Sequence, residues 1–228
     1  MDRILYKSGA CVVVNKIKGE AVEGAKDGIL NLPQELKTFL KTDFAEAVHR
    51  IDVPVTGCAL FALSNASLEF LNAAFAGKNN QKIEKHYWAI LEKPKNLPPE
   101  EGELVHWIET NTRTNKSFAY SEAFAGRKKA VMRYKITGEG VNYLFMDIEI
   151  LTGRHHQIRA QLAAADLHIK GDLKYGAKRS EKNGGIRLHA RSLLFPDPLN
   201  KEETIFVTAD PPDIDNLWRS FMLVSVTC

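Results

Sequence analysis

Short apolar runs broken by turn residues dominate the chain, and they read as strands more often than as helices. Val12-Val13-Val14 and the run from Gly57 to Leu63 are apolar on both faces, as buried strands are. His86 to Leu91 is a further strand, closed by Pro94 and the Pro98-Pro99 pair. Leu104 to Ile108, Ser117 to Phe124, Ala130 to Ile136 and Tyr143 to Ile150 continue the strand-rich run. In the last of these, Leu144, Met146, Ile148 and Ile150 alternate with Tyr143, Phe145, Asp147 and Glu149, the period-two pattern of a half-buried strand. Helical spacing begins at Asn65, with Leu68, Leu71, Ala74 and Phe75 on one face and Gly77 as the stop. It returns from His156 to Ala165, with Ile158, Leu162 and Ala165 on one side, after a Thr152-Gly153-Arg154 turn whose glycine permits close backbone approach. Leu188 to Phe195 and Ile205 to Thr208 read as strands, and Ile214 to Met222 as a terminal amphipathic helix. There is no repeat, low-complexity segment or linker. The pattern predicts an α+β fold: a single domain over residues 1–228 with one long, mostly antiparallel mixed sheet flanked by helices and loops.

Composition narrows the setting. With 44% hydrophobic and 26% charged residues, the 228-residue chain has the balance of a soluble globular protein with a real core. No run approaches the roughly 18 apolar residues of a membrane helix, and the N-terminus has no signal-peptide core, so a cytoplasmic protein without membrane association is expected. Cys11, Cys58 and Cys228 are too scattered for a disulfide framework or a thiolate metal site. The formal net charge of +3 conceals an asymmetry: residues 111–135 carry seven Lys or Arg against one Glu, and residues 152–191 nine against three acids. The remainder holds 15 basic against 24 acidic residues. Two basic blocks on an acidic body fit a polyanion footprint, and equally fit solvated basic faces.

Two segments carry candidate chemistry. In His49-Arg50-Ile51-Asp52-Val53-Pro54-Val55-Thr56-Gly57 a carboxylate lies two residues from a cation, on a loop leading into a buried strand. That is a place for function, and equally for a local Arg50–Asp52 surface pair. The second is Leu151-Thr152-Gly153-Arg154-His155-His156-Gln157-Ile158-Arg159, followed by Gly171-Asp172 and Tyr175-Gly176. Four of the seven histidines fall between 155 and 189. His155 and His156 are adjacent and point to different sides, and no His-x-x-x-His pair is present, so no metal site is expected.

Together these segments resemble the RluA-type pseudouridine synthase family, whose usual motifs are His-Arg-Leu-Asp before Thr-Ser-Gly, and Thr-Gly-Arg-x-His-Gln-Ile-Arg. The resemblance extends to Val13-Val14-Asn15-Lys16, Lys85-His86-Tyr87-Trp88-Ala89, Gly126-Arg127-Lys128-Lys129-Ala130 before Tyr134, and Leu188-His189-Ala190 with Phe195, over residues 4–208 or so. Ile51, Val55-Thr56, Ile17 and Asp166-Leu167-His168 depart from the usual pattern, and none touches Asp52, Tyr87 or Arg159.

The resemblance implies a pseudouridine synthase catalytic domain with a central active-site cleft, isomerising uridines in ribosomal or transfer RNA without cofactor or metal. Asp52 becomes the essential carboxylate, as nucleophile or base, and Arg159 the buried cation paired with it. Tyr87 becomes the platform for the target uracil. Strand alternation puts Tyr87 and Trp88 on opposite faces, so only one of them can serve. Arg50 would help displace the target nucleotide, and Leu188 would line the uracil pocket or simply pack in the core. Arg154, His156 and Gln157 would hold the pocket and contact phosphate, and His49 would support the Asp52 loop. Lys174, Lys178, Arg179, Lys182 and Arg187 remain to meet phosphates, with Arg113, Lys116 and Arg127-Lys128-Lys129 as a second rim. The chain is expected to lack the N-terminal RNA-binding domain of many relatives and to act as a monomer without an obligate protein partner. The competing readings are a catalytically silent RNA-binding module on the same fold, and a metal-dependent hydrolase built from Asp52, His155 and His189.

Overall fold

The computed structural model describes residues 1–24, 28–78, 81–182 and 184–225; Cys228 lies outside them. In chain order the elements are β1 (Ile4–Lys7), β2 (Cys11–Lys16), β3 (Glu20–Ala21), β4 (Leu30–Asn31), α1 (Leu32–Leu40), β5 (Glu46–Ala47), β6 (Thr56–Ala62), α2 (Asn65–Phe75) and β7 (Glu84–Glu92). There follow β8 (Glu101–Asn111), β9 (Lys116–Tyr120), β10 (Lys128–Glu139), β11 (Tyr143–Ile150), α3 (Gln157–Ala164), a 3-10 turn (Leu173–Tyr175), β12 (Leu188–Pro196), β13 (Thr204–Thr208) and α4 (Asn216–Ser225). The α+β class expected from the pattern is the one observed. The described residues form two compact units, Met1–Lys85 with His189–Asp213, and His86–Leu188 with Ile214 onward. No linker marks them in the sequence, because the chain passes from one to the other inside β7, inside β12 and again between Asp213 and Ile214.

In the first unit β1, β2 and β6 pair antiparallel, β5 adds to β6, and β12 runs antiparallel to β13. The parallel step is β6 to β12, through Thr56 opposite His189 and Gly57 opposite Ala190. Cys11, Val13, Cys58, Leu60, Leu71, Leu193 and Phe195 form the core against α2. Ser64 caps α2 by accepting from the Ser67 N–H. Burial pushes the Cys11 and Cys58 thiols up to about 11 and about 12, so both act as small apolar side chains. Helix α1 has no counterpart among the expected elements. Its signals are local: Asn31 caps the Gln34 N–H, Pro33 stands in the first turn, and Lys41 closes it in the left-handed region.

In the second unit the antiparallel order is β7, β11, β10, β8, β9. Helix α4 packs on Trp88 and Phe145 through Phe221, at ring distances of 4.7 and 5.1 Å. That cover explains why Phe145 is buried where alternation predicts an outward position. Helix α3 departs from the expected one-sided pattern, since Gln157, Arg159 and Gln161 are buried along with Ile158 and Leu162. Each of the three side chains has hydrogen-bond partners on other elements: the Gln161 amide nitrogen, for example, donates to Leu104 O at 2.9 Å.

Candidate active site

The Asp52 loop joins β5 to β6 and is held from its own main chain. Val55 N–H donates to Asp52 O at 3.0 Å and Gly19 N–H to Val53 O at 2.8 Å, closing the turn over Pro54. Lys16, with 0% exposure, donates from Nζ to Ile17 O, Val53 O and Val55 O at 3.0, 3.2 and 2.6 Å. Burial lowers the Lys16 ammonium to about 8, with Glu20 and Asp52 acting in the opposite sense. It is still cationic at pH 7, and its three protons match its three carbonyl acceptors. In the sequence this residue stands only as the end of the Val13-Val14-Asn15-Lys16 motif. The available signal was a lysine ending an apolar strand. At the loop's far end Gly57 has φ of +111°, and a Cβ there would lie 2.2 Å from Ala190 O, so the close approach of β6 and β12 requires glycine.

His49 and His189 brace the same loop. His49 Nε2 accepts from Leu60 N–H at 3.2 Å and its ring stacks on Phe75, the supporting role expected of it. His189 accepts from the Thr56 hydroxyl at Nδ1, 2.8 Å, and donates from Nε2 to Ala209 O, 2.9 Å. Both ring nitrogens of His189 are thus occupied within the protein. Among the described residues no group of three His, Cys, Asp or Glu side chains is arranged to hold a metal ion. Arg50 is exposed, with Glu23 at 3.7 Å.

In the second unit Tyr87 is buried on β7 opposite Ile148. Its neighbour Trp88, on the other face, donates from Nε1 to Asp147 at 3.1 Å and packs under α4. Of the two aromatics left open by alternation, Trp88 is thereby committed to the α4 cluster. Leu188, also buried, begins β12.

The turn before α3 is pinned by Gln157. Its Oε1 accepts from the Thr152 hydroxyl and the Arg154 N–H at 2.8 and 2.9 Å, and its Nε2 donates to Val131 O at 3.1 Å. Buried and fully engaged, Gln157 is a brace for the turn. Arg154 is exposed, its Nε on Lys129 O at 2.9 Å. The left-handed residue of this turn is His156, at φ of 51°, rather than Gly153. A residue with a Cβ is held there at a cost. A 2.8 Å hydrogen bond between His156 Nδ1 and the Tyr175 hydroxyl helps to hold it, and that hydroxyl accepts from Ser117 N–H at 2.8 Å.

Arg159 is 6% exposed and Asp172 2%. They form a bidentate pair, with Nε to Oδ2 at 2.6 Å and Nη2 to Oδ1 at 2.8 Å, while the guanidinium lies 4.8 Å from the Tyr175 ring. The Gly171-Asp172 motif thus supplies Arg159 with a partner besides the Asp52 that the resemblance implies. Arg187, expected to meet phosphate, is instead engaged within the protein, its guanidinium held by Glu181 at 2.8 Å and by Asp215. Lys178, Arg179 and Lys182 are exposed, and so is Lys174, whose Nζ donates to Asn115 O at 2.9 Å.

The sequence profile of RNA pseudouridylate synthase matches residues 10–164, a span that includes both motif loops. The chain belongs to the RNA pseudouridylate synthase family. It is accordingly an RNA pseudouridine synthase, an isomerase. An RNA pseudouridine synthase of Zymomonas mobilis is 29% identical over 194 residues, 84% of this chain and 86% of that one. Ribosomal large subunit pseudouridine synthase C of Vibrio parahaemolyticus is 28% identical over 215 residues, covering 87% of this chain and 62% of its own length. tRNA pseudouridine synthase C of the same species is 29% identical, with coverages of 75% and 73%. The fold matches human RNA pseudouridylate synthase domain containing 4 with a TM-score of 0.72 at 20% identity, over 98% of this chain and 92% of that one.

The bracing histidines give this synthase an acid limit. Burial lowers His189 from 6.5 to about 4, and burial with the nearby Lys85 lowers His49 to about 3. Below pH 6.5 the unfolded chain takes up protons that the folded chain refuses, so stability falls as pH drops, by at most about 1.4 kcal/mol per pH unit per histidine. Melting temperature is therefore expected to fall from pH 6.5 to pH 4. His189→Asn should make that dependence shallower, and an unchanged slope would refute the assignment to His189.

Proposed function

We propose that this synthase isomerises specific uridines of ribosomal or transfer RNA, with Asp52 as the essential carboxylate. The bond from ribose C1′ to uracil N1 breaks, the base rotates, and C1′ rejoins at C5. The proton lost from C5 is balanced by one gained at N1. Asp52 acts as nucleophile at C1′ or as the base that removes the 2′ proton, and either role requires the ionised carboxylate. Arg159 is the cation that favours that form, and Asp172 orients it. Tyr87 is the face against which the extruded uracil stacks, with Leu188 beside it. Arg50 takes the place of the displaced base, and Arg154 meets phosphate.

The observation that carries this reading is the family match across both motif loops, each braced by buried polar side chains: Lys16 under residues 53–55, and Gln157 under residues 152–154. Commitment of Trp88 to α4 supports Tyr87 as the platform. Mapping pseudouridines in ribosomal and transfer RNA from cells with and without the gene tests the proposal. At least one site should disappear without the gene. An unchanged map, together with purified protein that forms no pseudouridine in total RNA from the deleted strain, would overturn it.

A further inference from the structure

Strand pairing divides the side chains of the second unit between two faces. Tyr87 shares its face with Ile148, Tyr134, Met132, Leu104 and Ile108. Helix α3 lies on that side, where Gln161 reaches His106. The opposite face carries Trp88 under α4 and, on β8 and β9, Trp107 directly across from Tyr120, with Phe118 two residues before Tyr120. Phe118 is 41% exposed, and Trp107 and Tyr120 are partly exposed. The Arg127 guanidinium lies 3.5 Å from the Tyr120 ring centre and 5.2 Å from that of Phe124, which is 69% exposed. Glu109 at 3.4 Å and the Glu122 carbonyl at 3.4 Å hold Arg127 over the ring. The Lys116 ammonium is 5.4 Å from the Phe118 ring, and Lys129 is paired across from Trp107. Lys129 is exposed on this face, and Arg113 is exposed in the turn between β8 and β9, both within the block of seven basic residues against one Glu.

Exposed aromatic rings on an antiparallel sheet, each flanked by a cation, have the chemistry of a base-stacking platform with phosphate partners. Duplex RNA presents phosphates but no free base faces, so this surface selects unpaired nucleotides. We propose that the β8–β10 face opposite Tyr87 is a second RNA-binding surface, taking a single-stranded segment by stacking on Trp107, Phe118 and Tyr120–Arg127. The proposal rests on the RNA reading above and adds to it a contact on the sheet face that does not carry Tyr87.

The test uses the full chain and a short fluorescein-labelled oligouridylate. Trp88 and Trp218 are buried, so stacking should quench chiefly Trp107 emission. Trp107→Phe should remove the quench, and Phe118→Ala and Arg127→Gln should each weaken binding at least about fivefold with melting temperature unchanged. Wild-type affinity in both variants would overturn the proposal, and so would equal weakening for a duplex RNA of the same length. If the protein forms no pseudouridine in any RNA while the stacking variants still lose single-strand binding, the catalytic reading falls and this surface stands.

Discussion

Asp52→Asn is expected to bind RNA with wild-type affinity and to form pseudouridine at least about 10³-fold more slowly. The amide has nearly the size of the carboxylate, but it can neither attack C1′ nor take the 2′ proton. The ties that hold residues 53–55 are kept in this variant, since they run through main-chain groups: Val55 N–H to Asp52 O, Gly19 N–H to Val53 O, and Lys16 to the carbonyls of Ile17, Val53 and Val55. Single-turnover conversion of a transcript containing the mapped uridine, beside a filter-binding measurement on the same transcript, separates the two effects. Wild-type turnover would remove Asp52 from the chemistry. Loss of binding in step with turnover would make it a binding residue instead.

How far the sequence spoke depended on the range of the interaction. Strands β6, β7, β11 and β12 were legible from apolar runs and alternation, because each pattern lies within a few residues. Helix α1 is absent from the expected elements although its signals are local: the Asn31 cap, Pro33, and Leu32, Leu36, Phe39 and Leu40 at helical spacing. The choice between Tyr87 and Trp88 needed contacts that no local pattern holds, since Trp88 is packed by Phe221 on α4. Likewise the expected apolar side of α3, Ile158, Leu162 and Ala165, does not account for the burial of Gln157, Arg159 and Gln161, which their partners on other elements explain. The motif loops and Gln157 were found by resemblance, whereas the bracing role of Lys16 became visible only with the hydrogen bonds.

Asp172→Ala should lower stability by about 3–5 kcal/mol, because it leaves a guanidinium in a nearly dry site without its bidentate acceptor. For a chain of this size that is a fall in melting temperature of about 10 °C. Asp172→Ala should also lose activity, but an unstable variant says little about Arg159 itself. The decisive variant is the double substitution Arg159→Met with Asp172→Leu, which replaces a buried ion pair by apolar side chains. Such replacements are commonly neutral or stabilising, since neither charge then has to be desolvated. The double variant should therefore melt near the wild type, although packing against Tyr175 will not be reproduced in full. If Arg159 serves only the fold, pseudouridine formation should return with stability. If it holds the charge of Asp52 and is itself oriented by Asp172, stability returns and turnover does not. The second outcome is expected, and thermal melting with single-turnover assays on one preparation distinguishes the two.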